Sequence, residues 1–190
     1  TKKFSTLFEN EELFENFLNE YPKLKPLIES FPKLLSEVRV GEYPKFYLSH
    51  GMMTVEELSS FYRSPDIKAL VSFTRGEGYG LPLLEAASSG LPVMATGWSG
   101  HMDFLSNIKF SSFSYDLVDI HPSRVDNSIF VQGAKWAQPR EDEIKKKLAK
   151  IRKSYKIPAE WATSGANYIN ANYNKEEIYK KYDQILSEVL

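Results

Sequence analysis

The chain has no cysteine, and only three of its 190 residues are histidine. Without cysteine there is no disulfide framework and no thiolate metal site, which fits a reducing compartment. His50, His101 and His121 share no metal-ligand spacing. Charge of one sign is also lacking. The 24 basic and 25 acidic side chains leave a net charge of −1, so there is no electrostatic footprint for nucleic acid. No apolar run approaches the ~20 residues that cross a bilayer. At the start of the chain, Lys2 and Lys3 are followed by Glu9, Glu11 and Glu12 rather than by the apolar core of a signal peptide. The first residue is Thr, so a fragment or a processed product is expected. Repeats and low-complexity tracts are absent. What remains is an ordinary globular composition, 42% apolar and 26% charged, long enough for one well-cored domain over 1–190.

The most informative stretch is Arg75 to His101, R-G-E-G-Y-G-L-P-L-L-E-A-A-S-S-G-L-P-V-M-A-T-G-W-S-G-H. An apolar run before it, Ile67 to Thr74, predicts a buried strand. Gly76, Gly78 and Gly80 allow a tight loop with exposed backbone. Pro82 suits the first position of a helix, Leu83, Leu84, Ala86 and Ala87 give it an apolar body, and Gly90 is placed to end it. Pro92 to Thr96 reads as a second strand. The unit is therefore a β-α-β crossover with a glycine loop.

Such a loop presents free backbone N–H groups and the positive end of a helix dipole, and both favour phosphate. Glu77 in the loop and Glu85 about one turn into the helix would repel phosphate. Carboxylates beside a phosphate site commonly accept hydrogen bonds from sugar hydroxyls instead. Two of them bracketing the loop suggest a ligand with sugar on both sides of its phosphates, as in a nucleotide-sugar.

The stretch E-G-Y-G-L-P-L-L-E-A-A-S-S-G-L-P-V-M-A-T resembles the donor-site signature of glycosyltransferase family 4 and related retaining enzymes of the GT-B fold. Those enzymes carry an E-x-G-x-G-L-P-type loop followed by E-A-x-x-x-G-x-P-V-x-A-T. Trp98-Ser99-Gly100 with Asp103-Phe104, and Trp136-Ala137-Gln138-Pro139, are similar to a subgroup with W-S/G-G-x-x-D-F and W-A-E-P; Gln138 departs from the latter. The resemblance implies a Rossmann-like α/β domain, a parallel sheet flanked by helices with further helices at its C-terminus. It implies transfer, with retention, from a UDP- or GDP-sugar to a glycan, lipid or other acceptor. Glu77 would contact the donor sugar at the reacting centre and Glu85 the ribose diol. Arg75, Gly78, Tyr79, Gly80, Leu81, Gly100, His101 and His50 would complete the donor site. No metal or other cofactor is implied in this half of the fold. Acceptor binding belongs mostly to a separate N-terminal domain, so an acceptor domain or partner subunit is expected outside this chain. The Arg and Lys with which the family grips the diphosphate have no counterpart in pattern: Lys2, Lys3 and Arg39 lack the surrounding motif, and Arg75 sits elsewhere.

Around this unit, F-S-T-L-F at 4–8 suggests a short strand or an ordered entry segment. Asn10 to Tyr21 suggests an amphipathic helix, and Lys23 to Leu35 two short helical pieces between prolines. Lys45 to Ser49 reads as a strand ending at His50-Gly51. Thr54 and Glu57 form a capping box for a helix to about Arg63. Downstream, Met102 to Leu105 predicts a helical turn, Phe110 to Asp119 a strand, and His121 to Trp136 a long surface loop. Helices follow over Arg140–Tyr155, over Ala159–Tyr173, and from the Asn174/Glu177 cap to Leu190.

Plainer readings stand beside these. Glu85 could be a solvated helix carboxylate and Glu77 a helix cap. His50 and His101 fall where residues face the cleft of an α/β sheet, but equally serve packing or surface roles. Tyr79, Trp98 and Trp136 could be core. The basic face around Lys145 to Lys153 reads first as solvated helix and second as a membrane-surface or acceptor-anion contact. The expected location is cytoplasmic, at most membrane-peripheral. The chief alternative function is a non-catalytic nucleotide-binding or subunit-interaction module of the same fold. A nicotinamide dehydrogenase is excluded, because G-x-G-x-x-G would need glycine where Leu83 stands.

Overall fold

The computed structural model describes residues 52–189 and six isolated earlier positions (19, 22, 26, 30, 33 and 37). The chain divides into two compact units, Thr1–Met52 and Met53–Leu190. The expected elements at 4–8 and 45–49, together with His50, lie outside the described residues; the helix expected over 10–21 is described only at position 19, and the pieces over 23–35 only at 26, 30 and 33, all of them helical.

The second unit is α/β. It opens with α1 (Val55–Tyr62), which starts at a complete capping box: Thr54 Oγ1 accepts from the Glu57 N–H, and Glu57 accepts from the Thr54 N–H. Such a box satisfies two N–H groups that a helix start otherwise leaves unpaired. Next come β1 (Leu70–Ser72), α2 (Leu81–Ser88), β2 (Val93–Thr96), α3 (Met102–Leu105) and β3 (Ser111–Phe113). The three strands form a parallel sheet in the order β1-β2-β3, with Val71 opposite Met94 and Ala95 opposite Ser112. Their carboxyl ends all point the same way, toward Phe73, Gly97 and Ser114.

β1 is shorter than the apolar run Ile67–Thr74 predicts. The Ile67 N–H is already used by the Ser64 carbonyl in a turn, and beyond the strand the Arg75 carbonyl accepts from Ala137 rather than from a sheet neighbour. α2 ends as the sequence predicts. Gly90, at φ +79°, donates to the Ala87 carbonyl and Leu91 to the Ala86 carbonyl. This Schellman closure needs the left-handed conformation that glycine adopts without strain.

The single strand expected over Phe110–Asp119 is two. Ser114 breaks it because its N–H donates to the Glu143 carboxylate at 2.8 Å and its carbonyl accepts from the Arg140 N–H at 2.9 Å. Neither group remains for a ladder. The chain leaves the parallel sheet and forms β4 (Tyr115–Asp119), which pairs antiparallel with β5 (Lys135–Pro139), Leu117 opposite Ala137. Lys135 and Trp136 therefore belong to a strand, not to the loop expected over 121–136. That loop is also more ordered than its composition suggests. A 3-10 turn covers Pro122–Arg124, and Asp126 Oδ1 accepts from the N–H groups of Ser128, Ile129 and Phe130 at 2.9 Å each.

Three helices close the chain: α4 (Glu141–Lys153), α5 (Lys156–Asn172) and α6 (Lys175–Val189). Asn174 caps α6 through the Glu177 N–H, as expected. α5 begins three residues before the expected Ala159, with Pro158 in its first turn, where the missing N–H costs nothing. The core lies between α1, α2, α3, α5 and one face of the sheet, and gathers Tyr62, Leu83, Ala86, Ala87, Leu91, Val93, Ala95, Phe104, Leu105 and Ile169. A buried leucine or phenylalanine there stabilises the fold by about 1.5–3 kcal/mol. Alternation along β2 sends Met94 and Thr96, both fully buried, to the other face. Gly165 brings α5 close to Ile108: a β-carbon there would stand 3.2 Å from the isoleucine side chain.

Candidate functional site

The loop between β1 and α2 leaves the carboxyl edge of the parallel sheet, where α/β sheets commonly bind ligands. Its shape is set from the loop that follows β2. Ser99 Oγ donates to the Glu77 carbonyl at 2.7 Å and accepts from the Glu77 N–H at 3.0 Å, while the Gly100 N–H donates to the same carbonyl at 3.0 Å. The two loops touch so closely at Gly100 that a β-carbon there would overlap the Gly78 carbonyl. Ser99 itself has φ +87°, a left-handed conformation that costs an L-residue roughly 1–2 kcal/mol. Sequence reasoning singled out Gly100 but not Ser99; a serine between Trp98 and Gly100 carries no local signal of a positive φ.

Past Glu77 the backbone is left open. The N–H groups of Gly78, Tyr79, Gly80 and Leu81 donate to nothing among the described residues. Gly80, at φ +87°, is the N-cap of α2, and its carbonyl accepts from Leu83 and Leu84. Free donors at a helix start carry partial positive charge. The Glu77 carboxylate is half-buried, the Glu85 carboxylate exposed, and neither makes a hydrogen bond or ion pair among the described residues. Glu85 lies near Tyr62, whose phenol pKa is raised first by burial and second by that carboxylate.

The other expected donor-site residues are placed unevenly. Tyr79 rests on Phe104 with ring centroids 5.4 Å apart and stays 36% exposed. Burial, then the Asp103 carboxylate, raises its pKa. Leu81 is exposed at the first position of α2. Arg75 stacks on Trp136, its guanidinium carbon 4.4 Å from the ring centroid, and its carbonyl accepts from Ala137. This ties the β4–β5 ribbon to the loop, a link between residues sixty apart in sequence that no motif announces. His101 is not open to a cleft. It is wholly buried, and its Nε2 donates to the Thr96 carbonyl at 2.6 Å. Its Nδ1 and the Thr96 hydroxyl have no partner among the described residues, which is uncommon for buried polar atoms. The imidazole lies directly under the loop, since a β-carbon on Gly80 would come within 2.8 Å of the His101 Cβ.

Trp98 completes the edge. It is 37% exposed and packs against Tyr115 with centroids 5.3 Å apart, while Phe73, 48% exposed, packs against Phe113 at 5.6 Å. A small cavity of about 10 Å³ lies at the opposite end of the sheet, beside Pro92, Phe110 and Trp161. It has room for about one water molecule and none for a nucleotide.

The chain matches no protein-family model and no curated protein. Among those described, no helix is long and apolar enough to cross a membrane, and no three His, Asp or Glu side chains gather as a metal site would require.

Proposed function

We propose that the described unit is the donor-binding part of a retaining glycosyltransferase that uses a nucleoside-diphosphate sugar, with the GT-B type of donor site that the sequence resembles. The observation that carries this reading is the run of four N–H groups, Gly78 to Leu81, without partners among the described residues, leading into α2 between two carboxylates likewise unpaired among them. The N–H groups and the helix start suit a diphosphate. They would also stabilise charge as the nucleoside diphosphate leaves, without reorganising at the moment of reaction. Glu85, one turn into α2, would accept from the ribose hydroxyls. Glu77 would accept from donor-sugar hydroxyls next to the anomeric carbon. Acceptor binding and the remaining diphosphate contacts would come from a further domain or a partner subunit.

One observation favours the second reading, a non-catalytic module of the same fold. The guanidinium of Arg75, the cation of the glycine loop, is stacked on Trp136 and so has a structural use in tying the loop to β5. Calorimetric titration with UDP, GDP and ADP, then with their sugar conjugates, tests both. Micromolar to sub-millimolar binding of one nucleotide, weakened in Glu85→Ala, supports the donor site. Absence of binding to every nucleotide overturns it. Binding without sugar transfer or conjugate hydrolysis, even with an acceptor-binding partner supplied, favours the module.

A further inference from the structure

We infer that Ser99 is a positioning residue for the Glu77 carboxylate, holding the loop in the one conformation that aims it at the donor sugar. The inference deepens the donor-site reading above and rests on it. Three observations carry it. Ser99 spends a side chain on both backbone groups of Glu77, accepting from the N–H and donating to the carbonyl, across twenty-two residues of sequence. It does so from a left-handed conformation, φ +87°, that serine adopts only when its surroundings hold it there. The next residue, Gly100, donates to the same carbonyl, and its lack of a side chain lets the two loops meet.

A glycine at 99 would relieve the backbone strain, so the serine is not explained by local conformation. Nor does its hydroxyl fill the core, since the residue is only partly buried. What it fixes is Glu77 and, through the planar Glu77–Gly78 peptide, the Gly78 N–H; the N–H groups of Tyr79 to Leu81 lie beyond its reach and stay available to phosphate. The geometry thus separates two tasks. The N–H groups of Tyr79 to Leu81 would bind the diphosphate whether or not Ser99 is present, whereas the Glu77 carboxylate reaches the sugar only from a pinned backbone. Misplacement of a catalytic group by about 1 Å can cost on the order of 100-fold in rate.

The test compares the wild-type chain with Ser99→Ala, which keeps the strained backbone and loses the hydroxyl, and Ser99→Gly, which loses both. UDP against UDP-glucose and GDP against GDP-mannose are titrated into each, and amide exchange is followed at Glu77. The Glu77 amide is expected to exchange faster in both variants. Affinity for the free nucleotide should stay within about threefold of wild type, while the extra affinity for the sugar conjugate falls by about tenfold. A general loosening would weaken both ligands together. Ser99→Gly guards against misfolding, because glycine accepts the left-handed backbone. Unchanged exchange at Glu77, an unchanged preference for the conjugate, or parallel loss of both ligands would each overturn the role of Ser99. A wild-type chain that binds no nucleotide would instead overturn the donor reading itself, and the inference with it.

Discussion

Gly80 lies directly on His101: a β-carbon added to the glycine would stand 2.8 Å from the histidine Cβ, inside any normal contact. The glycine loop and the loop after β2 therefore form one packed layer. The buried imidazole, held by the Thr96 carbonyl, is its floor.

Gly80→Ala is expected to disturb that layer twice. Its φ of +87° strains any side chain, and the new methyl group meets His101. Together these should destabilise the chain by about 2–4 kcal/mol, measured by urea unfolding. A loss below about 0.5 kcal/mol would mean that the loop does not rest on His101 in solution.

Gly100→Ala puts a methyl group onto the Gly78 carbonyl. Neither backbone can yield without breaking the bond from Gly100 to Glu77. Expected are about 1–3 kcal/mol of destabilisation and a loss of nucleotide binding, because the free N–H groups of the loop move. Gly78→Ala is the control. A β-carbon there meets nothing within 4 Å, so stability should change far less.

Glu85→Ala should leave the fold intact, since the side chain is exposed and has no ion pair or hydrogen bond among the described residues. Nucleotide affinity should fall by about 10- to 100-fold, the value of a lost charge-assisted hydrogen bond. Glu77→Ala should do the reverse, sparing nucleotide affinity and lowering the rate of sugar transfer. Calorimetry and turnover on the two variants separate these roles. Equal effects of both substitutions on nucleotide affinity would refute the division.

Glu143 gives the chain an acid-sensitive link. Its salt bridge to Lys147, 2.5 Å, and the Ser114 N–H hold its carboxyl at about 2, below the ordinary 4.5. The folded-state value is depressed, so this stabilisation is present above pH 4.5 and disappears as pH falls toward 2. The side chains are a quarter to a third exposed, so solvent screening limits the contribution to about 1 kcal/mol. Glu143→Gln should lower stability at pH 7 by that amount and converge with wild type near pH 2. Parallel unfolding curves across the whole range would show that the link contributes nothing.

Local features were legible because they are built from residues three to five apart. The Thr54–Glu57 box, the stop of α2 at Gly90, the short helix at Met102 and the Asn174 cap all follow from side chains that satisfy neighbouring backbone groups. The glycine loop could be placed between a strand and a helix for the same reason. The break at Ser114 could not, because apolar residues at 113, 115, 117 and 118 read as one continuous strand. The break comes from Glu143 and Arg140, which reach Ser114 from a helix start nearly thirty residues away.

The sequence by itself determined where the glycine loop and the following helix start lie and which two carboxylates flank them, since glycine spacing and helix starts are written in adjacent residues. Only the tertiary structure decided how that loop is held: Ser99 on Glu77, Gly100 against Gly78, His101 beneath Gly80 and Arg75 on Trp136. The physical reason is the parallel sheet. It brings the ends of β1 and β2 side by side after a helical crossover, and contacts between two such ends obey packing rather than any period in the chain.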